Sequence, residues 1–275
     1  MSSHDPSSLT DLHSHLVPGV DDGARTVEDT LEGVGRLWDL GYRTLATTPH
    51  FDGSLTLDED RFRKAMGPMD QGWEHFCELM KARFPDLVVF RGHEVMLDVP
   101  NPDLSDRRLH LAEGPWVLVE WPRLQIPPGS TRVLERLVEQ GYRPLIAHPE
   151  RYHGIDPELS RLHRWKEAGA ALQVNLGSLV GRYGDRARTM AFRLLRRGWV
   201  DCFSTDFHGR PHLEPYTLEA RHTMTDMDGE EQWRLLTIEN PSRIVRGKDP
   251  LPVNPLEPQG GFWERVRGLL GLSKA

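Results

Sequence analysis

Two histidines one residue apart, His13 and His15 in the run Asp11-Leu12-His13-Ser14-His15, set the first chemical constraint. On an extended strand, side chains two positions apart share a face, so both imidazoles can reach one ion. Such a pair is common in ordinary cores and surfaces, and alone it carries little weight. The rest of the chain changes that. Asp22 follows in Asp21-Asp22-Gly23, His50 ends Thr47-Thr48-Pro49-His50, Glu94 ends Gly92-His93-Glu94, and Glu120 stands in Val119-Glu120-Trp121. His148 opens His148-Pro149-Glu150-Arg151, and Asp206 and His208 close Ser204-Thr205-Asp206-Phe207-His208. Asp21 also reads as a turn residue, and Glu150 as a group that orients its neighbours or pairs with a surface arginine.

Histidine and carboxylate without cysteine select borderline to hard divalent ions such as Zn, Mn or Fe. Nine such groups imply more than one ion, with carboxylates shared between them. Ions of this kind lower the pKa of water from 15.7 to roughly 7, which supplies hydroxide near neutral pH. Phosphate-ester cleavage uses that nucleophile and needs positive charge on the remaining oxygens. Arg151 and Arg210, each just past a ligand-bearing segment, offer forked donors for that purpose.

Groups almost 200 residues apart in sequence need a scaffold that brings strand ends together. Seven apolar runs read as strands: Thr10–His15, Arg43–Thr48, Leu87–Gly92, Pro115–Trp121, Arg143–His148, Ala170–Leu176 and Val200–Asp206. Between them lie stretches of helical period at Val27–Leu40, Thr131–Gln140, Leu159–Ala168 and Ala187–Arg197. Glycine stops recur at Gly41, Gly141, Gly169 and Gly198, just before strands. This alternation predicts βα units in a barrel or distorted barrel, whose C-terminal strand ends share one face.

Composition narrows the function classes. Among 275 residues, 38% are hydrophobic and 27% charged, which fits a folded core. The formal net charge of −7 gives no general attraction to nucleic acid or anionic lipid, so an anionic substrate must be held locally. Cys77 and Cys202 form no CxxC pair, so no disulfide framework or thiolate zinc site is expected, and a reducing cytoplasm fits best. Residues 1–9 carry no secretory pattern and read as a flexible start, and no apolar run is long enough to span a bilayer. The Pro/Gly-rich segment 249–261 reads as a linker closing a main domain over 10–248. Beyond it, 262–275 is an amphipathic tail, with docking on its own domain or on a second copy as the leading reading and membrane-surface binding or disorder as alternatives.

One competing motif is Cys77-Glu78-Leu79-Met80-Lys81-Ala82-Arg83, which matches the C-x5-R pattern of cysteine-dependent phosphatases. That chemistry needs a phosphate-cradling loop, whereas Trp73–Phe84 is rich in helix formers and lacks glycine. It is read as helix.

Taken together, Asp-Leu-His-Ser-His with Val-Asp-Asp-Gly, Thr-Pro-His, Gly-His-Glu, Val-Glu-Trp, Ala-His-Pro-Glu-Arg-Tyr and Thr-Asp-Phe-His resemble the polymerase-and-histidinol-phosphatase (PHP) superfamily over about Thr10 to Val245. Within it the chain is similar to the bacterial capsule-type protein-tyrosine phosphatases. The resemblance implies a distorted seven-stranded βα barrel with three metal ions, Mn foremost and Fe or Zn as alternatives. By motif, one ion takes His13, His15, Glu94 and Asp206. Glu94 bridges to a second that takes Glu120 and His148, and a third takes Asp22, His50 and His208. Arg151 then grips phosphate. Arg210 follows His208 on a shorter spacer than relatives often carry, a departure that bears on its reach. The implied reaction is phosphotyrosine hydrolysis on the tail of a bacterial tyrosine kinase that controls capsule or exopolysaccharide assembly. A phosphatase of histidinol phosphate or a sugar phosphate is the alternative, and a non-catalytic metal-bound regulator a distant one.

Overall fold

The computed structural model describes residues 8–257. Strand and helix alternate along them: β1 Leu9–Asp11, α1 Val27–Asp39, β2 Tyr42–Thr47, β3 His50–Asp52, α2 Glu59–Arg83, β4 Val88–Arg91, β5 Glu94–Met96, β6 Trp116–Glu120, α3 Ser130–Glu139 and β7 Arg143–Ala147. There follow α4 Ser160–Glu167, β8 Ala171–Asn175, α5 Leu176–Leu179, α6 Gly184–Leu195, β9 Cys202–Ser204, α7 Thr217–Thr225, α8 Glu230–Arg234 and α9 Asn240–Ile244.

Every strand pair is parallel, in two sheets ordered β1-β2-β4 and β3-β5-β6-β7-β8-β9. β3 and β5 continue β2 and β4 beyond the short breaks Thr48-Pro49 and Gly92-His93. Pro49 cannot donate to a ladder, and a side chain on Gly92 would meet Leu111 at 2.8 Å. The far seam is closed by a parallel bridge between Ser14 and Phe207, with His15 N–H donating to Phe207 O at 2.9 Å and Asp206 N–H to His13 O at 2.9 Å. Seven strand positions therefore run round in chain order and return to the first, a distorted barrel, although two of the seven are split in two.

Alternation along the strands sorts the core. Leu12, Ala46, Leu118, Leu145, Ala147, Ala171 and Cys202, drawn from strands all round the ring, form one cluster inside it. Their neighbours Val117, Val119, Ile146, Leu172 and Val174 belong to the cluster under the helices. The same period of two places Glu120, Gln173 and Asn175 on the inner face.

Two elements depart from the sequence reading. α2 begins at Glu59 rather than near Trp73, with Asp58 capping it by accepting from Arg61 N–H. Gly67-Pro68 hides the first half, because proline removes an interior donor and normally ends a helix. The helix also encloses the C-x5-R stretch, and burial pushes the Cys77 thiol up. The first part of the Pro/Gly-rich segment lies on the barrel. Val253 and Leu256 are buried, Leu256 N–H donates to Leu195 O, and Val253 O would lie 2.3 Å from a side chain at Gly198. Residues 262–275 lie outside the described residues, as do 1–7. No helix among the described residues is long and apolar enough to cross a membrane.

Candidate metal centre

Eight of the nine groups sit at or just past a strand end, or where a strand resumes. His13 and His15 follow β1, and the loop after them carries Asp22. His50 and Glu94 open β3 and β5, just beyond the breaks, so interrupting those strands aims both side chains into the barrel mouth. Glu120 ends β6, His148 follows β7, and Asp206 and His208 follow β9. His148 (φ 35°) and Asp206 (φ 52°) hold left-handed backbone, costly for side chains other than glycine and a mark of functional turns.

The structure brings all nine together. Glu94 is the hub: its Oε2 lies 3.1 Å from His13 Nε2, 3.5 Å from His15 Nε2 and 3.1 Å from His50 Nδ1, while its Oε1 lies 2.8 Å from His148 Nε2. Glu120 stands 3.5 Å from His50 Nδ1 and 3.9 Å from His148 Nε2. Asp206 Oδ1 is 3.4 Å from His13 Nε2 and 3.5 Å from His15 Nε2. Asp22 Oδ1 is 3.4 Å from both His50 Nε2 and His208 Nε2. Four overlapping groups can each hold an ion: His15, Asp22, His50 and His208; His13, His15 and Glu94; His13, His148 and Asp206; and His50, Glu94 and Glu120.

A second layer fixes how the rings face. His13 Nδ1 meets Gln173 Oε1 at 2.9 Å, the Gln173 amide donates to Asn175 Oδ1 at 2.8 Å, and the Asn175 amide donates to Asp206 Oδ2 at 2.7 Å. His15 Nδ1 meets Asp21 Oδ2 at 2.7 Å. Since carbonyl and carboxylate oxygens only accept, both Nδ1 atoms carry a proton, which leaves both Nε2 atoms facing the centre to take either a second proton or a cation. Those two Nε2 atoms are 3.2 Å apart, and Glu94 Oε2 beside them is buried without an aligned hydrogen bond. Two imidazole nitrogens and a carboxylate oxygen converging at this spacing form a donor set that one cation can satisfy, by coordination in place of a proton. The donor set fits divalent metal.

Electrostatics describe the same concentration of charge. Burial works against the charged forms of His13 and Glu94, yet each outweighs it for the other. The carboxylates of Glu94 and Asp206 hold the His13 imidazole up at about 9, and His13, His148 and His15 hold Glu94 well below the usual carboxylate range.

Around the centre opens a pocket of about 400 Å³ whose rim includes Arg123, Arg151, Arg182, Tyr183, Arg210 and Tyr216. The Arg151 guanidinium donates to Asp206 Oδ2 at 2.7 Å and lies over the Tyr183 ring, 4.3 Å from its centroid. Arg210 lines the pocket too, but donates to the backbone carbonyls of Asp22 and Gly23. Two residues with alternative readings become definite. Asp21 partners His15, and Glu150 is fully buried, accepting from Asn175 N–H at 3.0 Å and Ser178 Oγ at 2.6 Å rather than pairing with an arginine. Sequence reasoning missed Gln173, Asn175 and Tyr183. The first two stand two apart on a strand otherwise buried and apolar, a pattern that marks them as sharing one face but does not say which group they support.

Comparison with known proteins agrees with this geometry. The family model described as "Capsular polysaccharide synthesis, CpsB/CapC" matches residues 9–246. The chain is 30% identical over 243 residues to the tyrosine-protein phosphatase YwqE of Bacillus subtilis, covering 87% of this chain and 92% of that one. It is 27% identical over 256 residues to the tyrosine-protein phosphatase CpsB of Streptococcus pneumoniae, covering 86% of this chain and 98% of that one. A solved structure from work on YwqE and CpsB, described as unique metal-dependent tyrosine phosphatases, superposes with a TM-score of 0.75 at 27% identity over 90% of this chain and 100% of that one. An Escherichia coli phosphotriesterase homology protein, solved with phosphate in its active site, shares the fold at a TM-score of 0.54 and 14% identity, covering 88% of this chain and 99% of that one.

Proposed function

From the premise that this chain belongs to the CpsB/CapC family of capsular polysaccharide synthesis, we propose that it is a metal-dependent protein-tyrosine phosphatase. The observation that carries the reading is the hub at Glu94, a buried carboxylate with four imidazoles within 3.5 Å and an arginine-lined pocket above it.

Three divalent ions suit nine donors. His13, His15, Glu94 and Asp206 would hold one, Glu94, Glu120 and His148 a second, and Asp22, His50 and His208 a third, with Mn foremost and Fe or Zn as alternatives. When bound, such ions supply Lewis acidity toward phosphoryl oxygens and lower the pKa of water into the neutral range. The protein's own groups do the rest. Gln173 and Asp21 keep the His13 and His15 rings in one tautomer and orientation. Arg151, held by Asp206 and Tyr183, presents its remaining donors to the phosphate, and Arg210 lines the same pocket. Tyr183 and Tyr216 give the aryl group apolar wall to lie against. The physiological target that suits this chemistry is the phosphotyrosine tail of a bacterial tyrosine kinase, met in the cytoplasm.

A parallel assay tests the reading. Turnover of a phosphotyrosine peptide should exceed that of a phosphoserine peptide and of histidinol phosphate at equal metal loading. A preference for histidinol phosphate would transfer the site to small-molecule chemistry.

A further inference from the structure

Residues 182–197, from the turn before α6 to just past its end, hold Arg182, Arg186, Arg188, Arg193, Arg196 and Arg197 against the single acid Asp185, in a chain of net charge −7. None of these six guanidinium groups pairs with a carboxylate among the described residues. Four of them are held in place without being neutralised. Arg186 donates to the backbone carbonyls of Arg151 and Tyr152, Arg193 to that of Pro157, and Arg188 and Arg197 lie over the rings of Phe192 and Trp199. Other helices balance their charge: on α3, Arg132 meets Glu135 and Glu139, and α1 opens on the acids Glu28 and Asp29.

This positive face is continuous with the pocket, because Arg182 and Tyr183 line it. α6 follows β8, so it starts at the strand-end face that carries the site and runs back along the outside of the barrel. Its 12 residues extend the charge about 18 Å from the rim at 1.5 Å per residue. An extended peptide covers that distance in about five or six residues at roughly 3.3 Å each. A membrane surface suits the helix less well, since its apolar residues Ala187, Met190, Ala191, Leu194 and Leu195 are buried against the barrel and unavailable for insertion.

Resting on the phosphatase reading above, we propose that the arginine face of α6 is a docking track for an acidic stretch flanking the phosphotyrosine of the protein substrate. A single exposed ion pair contributes about 0–1 kcal/mol, so several together are needed, and together they give a preference on the order of tenfold. Exposed pairs are also screened by salt.

The test compares three substrates, p-nitrophenyl phosphate, a phosphotyrosine peptide with neutral flanks, and the same peptide with acidic residues within about six positions of the phosphotyrosine. Wild-type protein is compared with a combined Arg188→Gln, Arg196→Gln, Arg197→Gln variant. The expected result is roughly tenfold higher kcat/KM for the acidic than for the neutral peptide in the wild type. That preference should be lost in the variant, and lost in the wild type when ionic strength shortens the Debye length from about 30 Å to about 3 Å. Turnover of p-nitrophenyl phosphate should be unchanged. Where the glutamine variant disturbs the helix, Arg→Glu at the same positions, tested with lysine-flanked peptide, should restore preference by charge exchange. Equal turnover of acidic and neutral peptides, or a preference that survives variant and salt, overturns the track. So does arginine-dependent binding to phosphatidylserine vesicles without any peptide preference. Failure on p-nitrophenyl phosphate as well would overturn the phosphatase reading itself.

Discussion

The amide of Gln173 supports His13 from behind without reaching the pocket, and it shows how much of this site lies outside the groups that face substrate. Replacing it with leucine keeps the volume but removes the acceptor that holds Nδ1–H. Gln173→Leu is therefore expected to lower metal affinity about ten- to a hundredfold while leaving all nine facing groups present, as read by metal content under limiting metal. Arg151 should behave in the opposite way. Arg151→Ala is expected to cut kcat/KM for phosphotyrosine roughly ten- to a thousandfold, about 1.4–4 kcal/mol of transition-state stabilisation, with metal content retained. Arg151→Lys should recover only part of this, since an ammonium keeps charge but loses the fork. Metal loss in Arg151→Ala would instead make that residue a support for Asp206, to which it donates. The facing groups were legible because hard ligands recurred at strand ends. The supporting amides were not, because an amide on a buried strand becomes meaningful only once its partner in the barrel interior is known, here at a sequence separation of 160.

Strand positions followed from apolar runs and glycine stops, but the breaks within them did not. Apolar pattern cannot reveal that Thr48-Pro49 and Gly92-His93 divide two strands, because the divided pieces keep their alternation. Those breaks turn His50 and Glu94 inward. The loop after β1 is similarly constrained by backbone rather than by polarity. A side chain at Gly23 would meet His15 O at 2.2 Å, and the same carbonyl accepts from Ala24 N–H at 2.9 Å. Gly23→Ala is thus expected to displace the loop that carries Asp21 and Asp22. The cost should be on the order of 1–3 kcal/mol of stability, together with a loss of bound metal. Thermal unfolding and metal analysis on one sample check it, and an unaltered melting temperature with full metal would show that the loop adapts freely. α2 was legible only in its second half for a local reason: Gly67-Pro68 carries the composition of a stop, yet the helix runs through it.

For the whole molecule, ring closure turns a one-dimensional scatter of ligands into a single centre. The chain's own order of strands is the order round the ring, so each βα unit contributes its strand end to the same mouth. That much the alternation of elements predicted. The packing of 249–257 was hidden, because proline-rich composition reads as linker whether or not Val253 and Leu256 find a surface to cover. Convergence at Glu94 makes the central claim directly measurable: metal content and phosphotyrosine turnover determined together as chelator is titrated and metal then restored. More than one divalent ion per chain is expected in the active protein, with activity falling as ions are removed and returning with them. Glu94→Gln should hold fewer ions and remain inactive on restoration. Full turnover by protein exhaustively stripped of metal would contradict the account.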